Sequence, residues 1–196
     1  YPEDTYLLDK LFQLRSVEIE NIQLLKESLE GKVMVVFGGT YGIGKSVVDL
    51  GLSKGVHVYS FSRSENNIDI SNIEDVKNSL HKVFQIENKI DFIVSTAGVL
   101  YKEPLATMSY QTILDSININ YFGMVNVALA SLPYLKESKG HALFFTSSSY
   151  TRGRAFYSIY SSTKAATVNF VQAISQEWEM LGINVNCINP ERTQTP

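Results

Sequence analysis

Five short apolar runs, each set apart by a stretch of helix length, limit what this chain can fold into. The runs occupy residues 32–37, 56–61, 90–95, 142–146 and 183–188. They are continuous in apolar character, the pattern of strands covered on both faces. Residues 42–54, 72–84, 109–117, 121–135 and 157–181 between and around them have the length and patterning of helices. Ile43, Val47 and Leu50 share one face of the first, and Ser71 is the expected N-cap of the second. Strand–helix alternation at this spacing predicts an α/β fold, a doubly wound parallel sheet with right-handed crossovers and helices on both faces, in three layers α/β/α. In such sheets a ligand sits beyond the carboxyl ends of the strands.

The strand ends therefore carry the functional question. After the first run comes Gly38-Gly39-Thr40-Tyr41-Gly42-Ile43-Gly44. Glycines at 38, 42 and 44 permit a tight turn and close backbone approach, and the helix that follows aims its first N–H groups at the loop. The strand-loop-helix context is the one a pyrophosphate site needs. A second reading is formally complete, because Gly39-x4-Gly44-Lys45-Ser46 matches a phosphate-binding loop. That reading also requires a carboxylate ending a later strand to hold Mg²⁺. The later strands end in Ser95-Thr96-Ala97-Gly98 and Thr146-Ser147-Ser148, which offer none. The second run ends in Phe61-Ser62-Arg63-Ser64, where an acidic residue would favour NAD. Arg63 with flanking hydroxyls suits a 2′-phosphate instead, so NADPH is the expected cofactor, with Asp69 placed to accept from the adenine amino group.

The chemistry points to Tyr160-Ser161-Ser162-Thr163-Lys164. On a helix, residues four apart share a face. A free phenol ionises near pH ~10 and is a poor proton donor at neutral pH. A lysine cation one turn away favours the phenolate, and the pair can exchange a proton with a substrate oxygen.

Together these residues resemble the short-chain dehydrogenases/reductases, a Rossmann-type family, over residues 31–196. The parts stand in order: Gly38-x3-Gly42-Ile43-Gly44, Asp69, Ser95-Thr96-Ala97-Gly98, Asn120 with Gly123, Ser147, Tyr160-x3-Lys164, and Pro190 through Thr195. The resemblance implies that Tyr160 donates the proton to a carbonyl oxygen and that Ser147, favoured over Ser148 by its spacing, orients that oxygen. Lys164 would stabilise the phenolate and hold the nicotinamide ribose, and Asn120 would hold a water in a proton relay. The implied cofactor contacts are Gly38, Thr40, Tyr41, Gly42, Ile43, Gly44, Ser62, Arg63, Asp69, Ala97, Gly98, Pro190 and Thr195, besides Tyr160 and Lys164. The chain makes three departures from the family: Phe37 for a threonine, Ser95-Thr96 for two asparagines, and Glu191 for a glycine. The second threatens a strand-bracing hydrogen bond.

The two ends narrow the resemblance. Tyr1-Pro2-Glu3-Asp4 and the segment to Leu11 look like the closing helix of a cytidylyltransferase, and Asn189–Pro196 is similar to bifunctional enzymes of CDP-ribitol synthesis. Residues 1–30 are then expected to be the tail or linker of a preceding cytidylyltransferase-like domain. Residues 31–196 would be a reductase domain whose sheet still needs another helix and strand. The resemblance implies NADPH-dependent reduction of D-ribulose 5-phosphate to D-ribitol 5-phosphate for capsule or cell-wall polymers. Reduction of another carbonyl compound, or NADP binding without catalysis, is the alternative. A phosphorylated ketose would call for cations near the catalytic face: Arg152, Arg154 and Arg192, with Lys102 a further candidate. The family also implies a homodimer or tetramer, paired through the helices at 121–135 and 157–181.

Composition excludes several classes. A net charge of −3 over 196 residues suggests neither a nucleic-acid nor a membrane-surface partner. No apolar run approaches a membrane span, and the single cysteine, Cys187, fits a reducing compartment, so a cytoplasmic location is expected. Cys187 reads as a buried strand thiol. His57, His81 and His141 lack metal-ligand spacing, so no metal is expected.

Overall fold

A computed structural model describes residues 28–190. Five parallel strands form one sheet: β1 (Val33–Phe37), β2 (His57–Phe61), β3 (Phe92–Ser95), β4 (His141–Phe145) and β5 (Asn184–Ile188). The helices are α1 (Gly42–Ser53), α2 (Arg63–Asn66), α3 (Ile73–Glu87), α4 (Tyr110–Ile117), α5 (Gly123–Ser138) and α6 (Ser158–Glu179). The strand order β2-β1-β3-β4-β5 reverses direction between β1 and β3, and a crevice opens at that switch point. The expected α/β architecture is thus observed, with strand bounds within two residues of those read from the sequence.

Each strand divides its side chains between two cores, as the two-residue period demands. Val33, Val35 and Phe37 of β1 join the larger core with α3, α5 and α6, while Met34 and Val36 face α1. Ile93 and Phe144 point to the first side, and Val94 and Leu143 to the second. Among the described residues, the larger core therefore lies on one face of the sheet, and α1 covers part of the other.

Local chemistry sets three boundaries differently from the sequence reading. Asn72, not Ser71, caps α3, its side chain accepting from Glu74 N–H at 3.1 Å. Ser71 instead donates its N–H and O–H to Asp69, at 2.9 and 2.7 Å, so it is unavailable as a cap. The sequence also suggests separate helices ending at 117 and beginning at 121. A π-turn over Asn118–Phe122 joins them into a continuous helical run. Finally, α2 follows β2 directly, capped by Ser62, whose Oγ accepts from Glu65 N–H at 3.2 Å. The helical segments expected at 1–15 and in most of 18–29 lie outside the described residues.

Candidate active site

A cavity of about 460 Å³ opens where β1 and β3 end. Gly38, Thr40 and Tyr41 line it from the β1–α1 loop, Ser62, Arg63, Ser64 and Asp69 from beyond β2, and Thr96, Ala97 and Gly98 from beyond β3. The loop fits this place only as glycine. Gly38 has φ +93°, and a Cβ there would stand 2.6 Å from Ala97 N. A Cβ on Gly44, in the first turn of α1, would collide with the Gly38 carbonyl. Gly42 and Ile43 also lie in that first turn, beside the cavity rather than along its wall. Tyr41, the N-cap of α1, offers no side-chain acceptor, and no acidic residue stands in the first turn. The leading N–H groups are left for an anion.

Thr96 braces this loop. Its hydroxyl reaches Phe37 O at 3.2 Å and Gly38 O at 3.0 Å, and the Thr96 and Ala97 N–H groups both donate to Phe37 O. The hydrogen bond put in doubt by the missing asparagine is therefore made by the threonine. The competing phosphate-loop reading loses ground here. Lys45 pairs with Asp49 on its own helix, and Ser46 donates to Gly42 O at 3.3 Å. Neither side chain is directed by these bonds toward a nucleotide.

The corner beyond β2 is built from paired side chains. Thr40 donates to Ser62 Oγ at 2.6 Å, and Ser64 Oγ lies 3.4 and 3.5 Å from Ser62 and Thr40. Arg63 Nη2 donates to Asp69 Oδ2 at 2.5 Å. Partial burial pushes the Asp69 carboxyl up, but the Ser71 hydroxyl and amide, with Arg63, outweigh it and hold the group below its usual range. The sequence assigned Arg63 and Asp69 to separate tasks, whereas the fold couples them.

At the other end, three elements converge on Lys164. This residue is buried in α6, its Nζ donating to Phe145 O at 3.1 Å and lying 5.7 Å from the centroid of the Tyr160 ring. Burial pulls its pKa down to about 8, against a weaker opposing pull from the Cys187 thiol. Across the site, Asn120 occupies the middle of the π-turn. Its side chain clasps one residue at both ends, with Oδ1 accepting from Val99 N–H and Nδ2 donating to Val99 O, each at 2.8 Å. A Cβ on Gly98 would stand 2.9 Å from Asn120 Oδ1 and 3.7 Å from Lys164 Nζ. Gly98 is thus the point where the π-turn, the β3 end and α6 approach one another. π-turns inside helices are frequent at functional sites, and here one sets the position of Asn120.

Ser147 lies two residues beyond β4 and caps a short 3-10 turn, Ser148–Tyr150, accepting from Ser149 N–H at 3.3 Å. Its own O–H is not committed by that bond. Ser148 instead accepts from Arg154 Nη2 at 3.2 Å. Arg154 is thereby tied to the rim, and Lys102 lies 5.7 Å from the Tyr157 ring, which in turn meets Tyr160 edge-on at 6.4 Å. Arg152 is exposed in the same loop. Pro190 follows β5 as the last described residue, and Arg192, Glu191 and Thr195 lie outside the described residues. Cys187 is half-buried rather than fully buried, and burial pushes its thiol up despite Lys164. Among the described residues there is no cluster of His, Cys, Asp and Glu able to hold a metal, and no helix long and apolar enough to cross a membrane.

Comparison with known proteins agrees with the fold. A family model described as short chain dehydrogenase matches residues 32–196. The chain is 48% identical over 198 aligned positions to a bifunctional ribulose 5-phosphate reductase/CDP-ribitol pyrophosphorylase, Bcs1, of Haemophilus influenzae. That alignment covers 100% of this chain and 42% of the relative, so the chain spans less than half of the relative's length. Among solved structures, a dehydrogenase titled Cj0485 aligns with TM-score 0.80 and 28% identity, covering 86% of this chain and 71% of that one. A 3-ketoacyl-(acyl-carrier-protein) reductase of Brucella melitensis, solved with NADH, has the same fold at TM-score 0.80 and 21% identity, covering 86% of this chain and 78% of that one. By its family match, its glycine loop and its parallel sheet, this chain belongs to the short-chain dehydrogenases, a family of oxidoreductases.

Proposed function

We propose that this chain is a carbonyl reductase domain that converts D-ribulose 5-phosphate to D-ribitol 5-phosphate with NADPH. The observation that carries the reading is the convergence of Asn120, Gly98 and Lys164 beside Tyr160, at the strand ends next to a glycine-lined cavity. The substrate rests on the similarity to the Haemophilus relative. The cofactor fits the residues present: a cradle at Gly38 and Gly44 that a Cβ would fill, and a helix start left for a pyrophosphate.

When bound, the nicotinamide would supply the hydride. The chain's own groups do the rest. Tyr160 gives its phenolic proton to the ketone oxygen as the carbonyl carbon is reduced, and the product is the alcohol. Ser147 donates a hydrogen bond to that oxygen and fixes its place. The Lys164 ammonium stabilises the phenolate left behind and binds the ribose hydroxyls. Asn120, held by Val99, positions a water through which Tyr160 is reprotonated. Arg154, Arg152 and Arg192, with Lys102, offer cations for the substrate phosphate. Thr40, Ser62, Ser64 and Arg63 would favour NADPH by receiving the 2′-phosphate, and Ala97, Gly98, Pro190 and Thr195 would help to hold the cofactor. Asp69 both steadies Arg63 and remains beside the adenine.

Exposed apolar residues on the helical run, Tyr110, Phe122 and Leu129, support pairing of two copies. We also propose fusion to a cytidylyltransferase domain, in a cytoplasmic enzyme that supplies CDP-ribitol for capsule or cell-wall polymers. The test is NADPH oxidation, followed by the loss of the reduced nicotinamide's absorbance. D-ribulose 5-phosphate should be turned over and D-ribulose much less so, whereas equal rates on the two would overturn the substrate assignment.

A further inference from the structure

We propose that Thr146 is a positioning residue whose buried hydroxyl holds Lys164, and with it Tyr160, at a fixed height against Ser147. Thr146 directly follows β4, one residue before Ser147 and one after the carbonyl that receives the Lys164 ammonium. Its Oγ1 donates to the main-chain oxygen of Lys164 at 2.9 Å, and this bond is buried. The Lys164 Nζ donates back to Phe145 O at 3.1 Å. The same lysine is thus gripped at its backbone and at its side-chain end by adjacent residues at the end of β4, Thr146 and Phe145. Thr146 is itself anchored on the far side, its N–H donating to Ile188 O of β5 at 2.9 Å.

The arrangement has no purpose in satisfying the helix. Lys164 lies well inside α6, where its carbonyl already accepts the ordinary helical bond, so Thr146 occupies a second lone pair. Losing the hydroxyl therefore leaves no buried acceptor without a partner, and the fold should tolerate it. What would change is the register between α6 and the end of β4. Ser147 sits on one side of that junction, and Tyr160 and Lys164 on the other, so a slip of a fraction of an ångström separates the groups that must meet one oxygen. Thr146 lines no part of the cavity and acts only through Lys164.

This inference rests on the roles proposed above for Ser147, Tyr160 and Lys164, and its test separates the two. The groups around the Lys164 ammonium are Tyr160 of α6, the Cys187 thiol of β5, the Phe145 carbonyl of β4 and, across Gly98, Asn120 of the π-turn. Competitive acylation, read by mass spectrometry at Lys164 across a pH series, reports how that ammonium is held without requiring turnover. In the unchanged protein the labelling midpoint should lie near about 8. Thr146→Val should raise the midpoint toward the ordinary lysine value and so slow labelling at about pH 8, and should lower kcat about tenfold or more with KM for the ketose within about twofold. Thr146→Ser should restore both. If Val at this position prevents folding, Thr146→Ala replaces it against the same Ser control. Unchanged labelling and kcat in the hydroxyl-less variant would overturn the proposal, as would a Ser variant as impaired as Val. If the unchanged protein fails to reduce D-ribulose 5-phosphate, the substrate reading fails, and the labelling series still decides the role of Thr146.

Discussion

The two ends of the candidate site are held by different kinds of bond. At the β2 end, an exposed Arg63 meets a partly exposed Asp69, and Thr40, Ser62 and Ser64 touch one another through hydroxyls. At the Lys164 end, the polar groups are buried and each is held by main chain: Lys164 by Phe145 O, Asn120 by both polar groups of Val99, Thr146 by Ile188 O. Exposed side-chain pairs contribute little to stability and rearrange readily. Buried groups fixed by backbone cannot move without disturbing the sheet. The difference teaches which end can adapt to a ligand and which must be built ready. On the function proposed here, discrimination between cofactors would belong to the adaptable end, and proton transfer to the rigid one.

Lys164 offers the sharpest way to break this contrast. Replacing it with Met should reduce turnover by about 10²–10⁴-fold, the usual scale for losing an acid–base partner. The same change should raise stability. The folded lysine has a pKa of about 8 against an ordinary 10.5. Between those values the unfolded chain binds more protons, so this group's contribution to stability rises as pH climbs through the window. Below about pH 8 it is a constant penalty, on the order of 3 kcal/mol from the size of the shift. Some of that is offset by the bond to Phe145 O, so Lys164→Met should gain about 1–2 kcal/mol at pH 7 by urea melts. The gain should shrink as pH rises from about 8 to 10.5. A variant less stable than the parent at pH 7 would mean that the lysine is not held at a cost.

Gly44→Ala tests the loop that joins the two ends. The added methyl meets the Gly38 carbonyl and the Thr96 hydroxyl. Overpacking of this kind costs about 1–3 kcal/mol. Thermal unfolding should show that loss, with nucleotide affinity falling alongside it. A neutral result would mean that the loop relaxes easily and that its glycine serves only a ligand.

The smallest expected effect lies at the adaptable corner. Asp69→Asn removes the partner of Arg63 and a negative charge near the proposed 2′-phosphate. The preference for 2′,5′-ADP over 5′-ADP, measured by calorimetry, should rise about fivefold, the equivalent of roughly 1 kcal/mol for an exposed pair. Arg63→Gln should abolish the preference. An unchanged ratio in both variants would remove Arg63 from cofactor choice.

This contrast also explains what could be read from the sequence. The strands were legible because β1 and β3 are apolar on both faces, and the glycine loop because its spacing follows from close approach. Tyr160 and Lys164 were legible because four residues on a helix make a fixed geometry. The Arg63–Asp69 pair was not, since six positions separate the two and only the α2 turn brings them together. The π-turn was equally hidden. Residues Asn118–Phe122 carry no marker of their extra residue, so the sequence suggested a break between two helices. Ser71 and Asn72 both suit a helix cap, and the choice fell to Asn72 because Asp69 engages Ser71. Thr146 looked like the last residue of a strand, and nothing local showed that its hydroxyl would meet a helix carbonyl 18 positions away.

The central claim is that the rigid end carries the proton. Its most direct measurement is NADPH-dependent reduction of D-ribulose 5-phosphate by Tyr160→Phe beside the unchanged protein, with nucleotide affinity measured on both. Turnover should vanish while nucleotide affinity falls far less, because the proposed main task of the lost hydroxyl is at the reacting oxygen and its cofactor contact is one among many. A Phe variant that still reduces the ketose at a comparable rate would contradict the account.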